Sequence, residues 1–207
     1  MAVNIPLGTG SNSKRVTVQT APRCEQEPLI ARCVLGEDRA WRDLHRDYYP
    51  VASRFLRRMG ICANELDDAC QEVFVQVFRY LARFEQRADF RTWLYKLCLS
   101  QASRVRRRRR MHAAIDWLFG REGQIQGPGL EPEWSASMTA QRVKQALDQM
   151  KPLHKEVFVL FEFEGIEGEE IARIVRCPPA TVRRRLHCAR QEFETLLLAE
   201  AAKDGKP

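Results

Sequence analysis

The sequence predicts an all-α protein of two small helical domains joined by a flexible linker. Three observations carry that expectation. From Pro28 onward apolar residues recur at helical rather than alternating spacing. Residues 111–138 break this pattern with Gly, Pro, Ser and Gln and a net charge of −3, one Arg against Asp116, Glu122, Glu131 and Glu133. The C-terminal part then reads as short helix, tight turn and long helix. With 207 residues, 44% of them hydrophobic and 29% charged, the chain can bury two small cores. Its longest apolar stretches, such as Val157–Phe161, are too short to span a bilayer, and residues 1–30 lack the apolar centre of a signal peptide. A cytoplasmic protein without membrane insertion is therefore expected.

Residues 1–27 show no apolar period and read as a flexible tail. Leu29 to Leu35 is a short candidate helix ended by Gly36. Asp38 caps the next, through Trp41, Leu44 and Tyr48; Pro50 should bend or interrupt it before Val51 to Met59, and Gly60 stops it. Asn64 caps a third helix with Glu65, Asp67 and Asp68 in its first turn, where the dipole favours carboxylates. Its apolar stripe is Leu66, Cys70, Val73, Phe74, Val77, Phe78 and Leu81. After a polar loop at 83–88, Asp89 caps a helix from Phe90 to about Arg109, with Trp93, Leu94, Leu97 and Cys98 inward. These segments make a first domain over 28–110, followed by the acidic linker 111–138, in which at most one helical turn, at Ile115–Phe119, is expected.

The second domain, 139–200, opens with Val143, Ala146, Leu147 and Met150 at i, i+3, i+4, i+7. Lys151-Pro152 breaks that helix and starts another, Leu153 to Glu164, closed by Gly165. A short helix at Gly168–Val175, a turn at Arg176-Cys177-Pro178-Pro179 and a long helix from Ala180 to about Ala199 complete it, with a tail at 201–207.

Seven cysteines, odd in number and without a CxxC pair, read as reduced thiols that are mostly small buried residues. A zinc or redox site at Cys177, His187 and Cys188 lacks ligand spacing. In Asp67-Asp68-Ala69-Cys70-Gln71-Glu72 the spacing sets Asp68 and Glu72 one turn apart. Magnesium chelation, helix-start acid with no further role, and an acidic docking face for a basic partner all remain open readings. No second carboxylate cluster, Gly-rich phosphate loop or nucleophile elbow accompanies it, so neither enzyme activity nor a cofactor is expected.

On the last helix, Val182, Leu186, Ala189, Phe193 and Leu197 share one side. The opposite side carries Ala180, Arg184, His187 and Gln191, flanked by Thr181 and Arg183, with Arg185 and Arg190 able to reach phosphates. Following a short helix and turn, that face suits DNA recognition. The helix from Phe90 combines aromatics with Arg91, Lys96 and six arginines in seven positions, Arg104 and Arg106 to Arg110. Aromatics beside cations suit single strands, although Trp93 also fits a core position.

Together these segments resemble the extracytoplasmic-function class of bacterial sigma factors, over roughly 28–110 and 139–199. Asp67-Asp68-x-x-Gln71-Glu72-x-Phe74 resembles the family's core-polymerase docking motif. Phe90-Arg91-Thr92-Trp93-Leu94-Tyr95-Lys96 resembles its promoter-melting helix. Lys155-Glu156-Val157, Gly165, Glu169-Glu170-Ile171-Ala172 and Thr181-Val182 through Ala189-Arg190 resemble its C-terminal helix-turn-helix. The resemblance implies an alternative sigma factor, with 28–110 as region 2 and 139–200 as region 4, that binds core RNA polymerase and directs promoter-specific initiation. A stand-alone helix-turn-helix regulator is the alternative.

By the same resemblance, Asp67, Asp68, Gln71 and Glu72 bind core polymerase. Phe84, Asp89, Arg91, Trp93, Tyr95, Lys96 and Ser100 serve the minus-10 element, with the loop Phe84–Asp89 capturing a flipped base. Ala180, Thr181, Arg183, Arg184, Arg185, His187 and Arg190 serve the minus-35 element. An anti-sigma factor is an expected partner. Extended at ~3.3 Å per residue, the linker reaches at most about 90 Å. Ser100 stands where the family usually has Asn, Arg104 where an acidic residue is frequent, and Arg176 where Gly is usual in the turn.

Overall fold

A computed structural model describes residues 23–84, 89–118 and 138–204. The expected tail before residue 23, the loop centre 85–88, residues 119–137 of the expected linker and the last three residues lie outside the described residues. Those described form two compact units, one built on the first four helices and one on the last four, with no strand among them. The all-α expectation holds.

In the first unit, α1 (Arg23–Val34) starts six residues before the expected Leu29. Without an apolar period, residues 23–27 read as tail, but the period reports burial, not helicity. Gly36 ends this helix at φ 84°, its N–H donating to the Cys33 carbonyl at 3.0 Å and the Glu37 N–H to Arg32 at 3.1 Å. The next helix, α2 (Asp38–Arg58), corrects two expectations. Asp38 is its first helical residue; the cap position is Glu37, whose carboxylate is bound by Arg32, the Nε at 2.6 Å. Pro50 does not interrupt it. Pro50 is exposed, and buried Tyr48, Val51, Ala52 and Phe55 on the other side hold the helix across the missing N–H. Gly60, at φ 87°, ends it as expected.

Helix α3 (Ala63–Tyr80) has Cys62 at its cap position, so Asn64 is a helical residue rather than the cap. Its first turn holds Glu65, and Asp67 and Asp68 sit further along. Leu66, Cys70, Val73 and Val77 are buried as expected, but Phe78 is 68% exposed and lies 5.0 Å from the Trp41 ring at the surface. A 3-10 turn at Leu81–Arg83 follows. Helix α4 (Phe90–Leu118) is capped as expected, Asp89 Oδ1 accepting from the Arg91 N–H at 2.9 Å. It runs past the expected end near Arg109, through the part of the expected linker before residue 119. Helices α2, α3 and α4 pack on one another around Leu44, Phe55, Leu56, Val73, Phe90, Leu94 and Tyr95.

In the second unit, α5 (Met138–Gln149) buries Val143, Ala146 and Leu147, with Met150 just beyond it, all four as the spacing requires. Pro152 opens α6 (Pro152–Phe158). The chain then widens into a π-helical turn, Val159–Phe163, before Gly165 at φ 67°. Short α7 (Gly168–Val175) matches its expected bounds. The long α8 (Pro179–Asp204) begins one residue earlier than expected, runs into the expected tail, and packs on α5 and α6. Lys155, nearly buried, is 3.6 Å from Asp148, which also takes Lys144 at 3.0 Å.

Candidate nucleic-acid and protein interfaces

The acidic motif occupies an exposed stretch of α3. Asp67, Asp68, Gln71 and Glu72 all reach solvent. Asp67 is held by the Tyr49 hydroxyl, which donates to Oδ1 at 2.8 Å. Burial, followed by this bond, pushes the Tyr49 phenol up. The half-buried Phe74 ring lies beside this face, 4.7 Å from His45 and 6.1 Å from Tyr49. The result is a row of carboxylates edged by aromatic rings, on a helix fixed from behind by buried Leu66, Ala69, Cys70 and Val73, a face complementary in charge to basic groups. Among the described residues, no cluster of three His, Cys, Asp or Glu side chains could hold a metal.

The expected minus-10 residues of α4 do not share one surface. Tyr95 is fully buried, 4.7 Å from the Phe55 ring, and its hydroxyl accepts from Arg91 Nε at 2.5 Å. Arg91 itself is 8% exposed and lies 5.5 Å over the Tyr95 ring. Both side chains are turned into the packing between the helices rather than toward solvent. Trp93 is half-buried in a cluster with Phe84, 5.3 Å away, and Phe90, 5.6 Å away. Each ring in that cluster restrains the next, so Phe84 and Trp93 form a fixed aromatic edge. Lys96 and Ser100 are exposed, one turn apart on α4. The half-buried Asp89 is committed to the helix cap.

The structure also finds a role that sequence reasoning missed. Glu65, expected only to favour the helix dipole, binds the arginine run across the unit. Arg108 Nη2 donates to it at 2.8 Å and Arg109 Nε at 2.7 Å, while Arg109 Nη1 reaches the Gly60 carbonyl at 3.1 Å. Burial opposes ionisation of Glu65, but the two guanidiniums win and hold its carboxyl below the usual range. A lone acid 43 residues from a run of arginines carried no sequence signal of this pairing.

On α8 the expected faces separate as drawn. Val182, Leu186, Ala189 and Phe193 are buried and Leu197 is half-buried. Ala180, Arg183, Arg184, His187 and Gln191 are exposed, with Thr181 partly so. Two arginines are more committed than expected. Arg190 donates to Glu162 at 2.7 Å and lies 5.2 Å over Phe161. Arg185 is half-buried, with Nη1 3.8 Å from the Cys177 sulfur. Arg176, which stands in the turn before α8, adopts φ 52°, and the next N–H donates to the Ala172 carbonyl at 3.1 Å. That left-handed position is one glycine fills without strain. Behind the face, the Lys151 N–H donates to Glu192 at 3.0 Å and His154 also bonds it. Burial opposes the charge on Glu192, yet these donors hold its carboxyl below the usual range.

Cys33, Cys62, Cys70 and Cys98 are buried, as expected for small core residues; Cys177 and Cys188 are half-exposed. Burial pushes the Cys33 and Cys70 thiols up to about 11, which keeps them protonated and unreactive near neutrality. No helix among the described residues is long and apolar enough to cross a membrane.

Comparison with known proteins agrees with this geometry. The family described as Sigma-70 region 2 matches residues 44–111, and Sigma-70, region 4 matches 140–193. The RNA polymerase sigma-H factor of Pseudomonas aeruginosa is 30% identical over 182 residues, covering 84% of this chain and 94% of that protein. The ECF RNA polymerase sigma-E factor of Haemophilus influenzae is 25% identical, covering 84% and 96%. Among solved structures, the sigma factor RpoE of Bartonella quintana, in complex with the anti-sigma factor NepR, shares the fold. Its TM-score is 0.63 at 21% identity, covering 75% of this chain and 96% of that one. A match to region 2 as well as region 4 leaves no support for a stand-alone helix-turn-helix regulator. The chain belongs to the sigma-70 family, in its extracytoplasmic-function class, and is an alternative sigma factor that directs transcription initiation.

Proposed function

We propose that the chain divides this task between surfaces on its two units. Residues 28–110 act as region 2, 139–200 as region 4, and 111–138 as the connecting linker. Asp68, Gln71 and Glu72, with Asp67 positioned by Tyr49, dock on a basic surface of core RNA polymerase. Phe84 and Trp93 form the aromatic wall against which melted minus-10 bases stack, with Lys96 and Ser100 contacting the strand. Arg91, Tyr95 and Asp89 serve that wall from behind, by holding the start of α4 in place. Arg183, Arg184, His187, Ala180 and Thr181 read the minus-35 element in the major groove, and Arg185 and Arg190 brace the turn and helix that present them.

The observation that carries this reading is the segregation of charge on rigid helices. A carboxylate row on α3 and exposed arginines at the start of α8 each stand on the solvent side of a helix whose other side is core. The factor works by binding and catalyses no reaction. It acts in the cytoplasm, where core polymerase is, and an anti-sigma factor that covers these surfaces would silence it, as the pairing of RpoE with NepR suggests. Run-off transcription with bacterial core polymerase on pooled genomic fragments tests the reading. Discrete transcripts that require the protein, and that weaken with Asp68→Ala/Glu72→Ala, are expected. Transcripts unaffected by that double substitution would remove the docking assignment.

A further inference from the structure

Among the described residues, Arg176 stands apart in its backbone. At φ 52° it is the only non-glycine there with positive φ; the other such positions are Gly36, Gly60 and Gly165. A residue with a Cβ is strained in that conformation, and arginine lacks the short polar side chain with which Asn bonds locally. The bond made by the next residue, from the Cys177 N–H to the Ala172 carbonyl, would form equally well with glycine at 176. Nothing within the protein offsets the strain through the guanidinium. It is exposed and makes no hydrogen bond, ion pair or ring contact among the described residues. Attraction to the C-terminal end of α7 does not account for it either, because Arg173 already stands in the last turn of that helix without a strained backbone.

The turn holds this charge in a set place. Pro178 and Pro179 fix two φ angles. The Pro178 carbonyl accepts from the Thr181 N–H at 2.9 Å and the Val182 N–H at 3.1 Å, which seats the first turn of α8. Cys177 is tied to the next turn of α8 by Arg185, 3.8 Å from its sulfur. Arg176 is therefore carried just ahead of Ala180, Thr181, Arg183 and Arg184. A helix with its side chains is ~10–12 Å across, and the major groove of DNA is about 12 Å wide. When such a helix enters the groove by its N-terminal end, the turn before it comes to lie at the groove's edge, beside the phosphates that wall it. From this geometry we infer that Arg176 clamps one phosphate of the DNA backbone beside the minus-35 element, the strained turn being kept for a contact made only in the complex. The inference rests on the reading that α8 enters the major groove there. An acidic surface of polymerase would also attract the charge, and the test separates the two.

Holoenzyme, assembled from the full chain and core polymerase, is titrated with a duplex promoter fragment over a series of salt concentrations. Each phosphate that the protein ceases to neutralise flattens the slope of log K against log salt by about 0.9. Arg176→Gly and Arg176→Asn should both flatten it by that amount, so that the affinity lost between ~50 and ~200 mM salt is about 3.5-fold smaller than for the wild type. Arg176→Lys, which keeps the charge, should keep the slope. Core binding and base preference at minus-35 should be unchanged in all three. Arg176→Gly should unfold no earlier than the wild type, so that its weaker binding is not a folding defect. On a fragment with neutral methylphosphonate linkages along the minus-35 element and its flanks, the wild type and Arg176→Gly should show equal slopes. An unchanged slope in both uncharged variants would overturn the inference; joined to a lower thermal midpoint, it would return Arg176 to the end of α7. A slope difference that persists on the neutral fragment would also overturn it and send the charge to polymerase. A failure of the minus-35 reading shows separately, as unaltered base preference there in Arg184→Ala.

Discussion

Helices α4 and α8 carry the same sequence cue, aromatics and arginines on one long helix, but only one of them turns that cue outward. Helix α8 packs on α5 and α6 with a single side, and its arginines at 183 and 184 are left to solvent. Helix α4 packs against both α2 and α3, so Phe90 and Tyr95 are taken into the core and Arg91 follows Tyr95 inward. How many neighbours a helix has decides what its motif residues can touch. A motif names residues that matter together without saying which of them reach the ligand.

The largest effect that would break this comparison is at Tyr95. Replacing it with Ala should cost about 3–5 kcal/mol of stability in the first unit, the range for deleting a buried aromatic. Urea unfolding measures it; a variant of unchanged stability that lost only promoter opening would return Tyr95 to the DNA surface. On α8, Arg184→Ala should leave the unfolding midpoint where it is and weaken discrimination at one minus-35 base by about 1–3 kcal/mol. Competition binding with single-base variants of the site reads it, and a uniform loss across all variants would make Arg184 a phosphate contact instead.

Smaller still is Arg176→Gly. It relieves a left-handed residue worth roughly 1–2 kcal/mol but adds unfolded-state freedom, so a net gain of about 0.5–1 kcal/mol is expected. A drop in thermal midpoint would mean that the Arg176 side chain does more than occupy the turn. The weakest effect is with pH. Glu65 and Glu192 have carboxyls held below the ordinary value, so their contribution is complete above about pH 4.3, the unfolded glutamate value, and is lost as pH falls through the depressed folded values. Stability should therefore fall on acidification below that point, and fall less steeply in Glu65→Gln/Glu192→Gln; an equally steep fall in the variant would assign the loss to other carboxylates.

Much of the fold was legible because burial imprints periodicity. The spacing of Val143, Ala146, Leu147 and Met150 was enough to orient α5, and Gly36, Gly60 and Gly165 marked turns that do need positive φ. Helix ends were less legible. Residues 23–27 and those after Arg110 are helical without an apolar stripe, and Pro50 is carried through α2 by tertiary packing. Helical geometry there also shortens the expected linker. The part of α4 beyond Arg110 rises ~1.5 Å per residue rather than the ~3.3 Å of extended chain, which reduces the reach by about 14 Å. At the site, exposure of Asp68 and Arg184 could be read from helical phase, whereas the Glu65 clamp and the Arg91–Tyr95 pair depend on contacts between side chains that no local pattern encodes.

We propose that the first unit carries two separable surfaces, an acidic one on α3 for polymerase and a basic aromatic one on α4 for DNA. Equilibrium titration of core polymerase with labelled protein, comparing Asp68→Ala/Glu72→Ala with Lys96→Ala/Arg104→Ala, tests it most directly. The acidic double variant should lose core binding at least tenfold, about 1.4 kcal/mol, with its unfolding midpoint unchanged. The basic double variant should bind core as the wild type does and fail at promoter opening. Equal loss of core binding in both variants would contradict the separation.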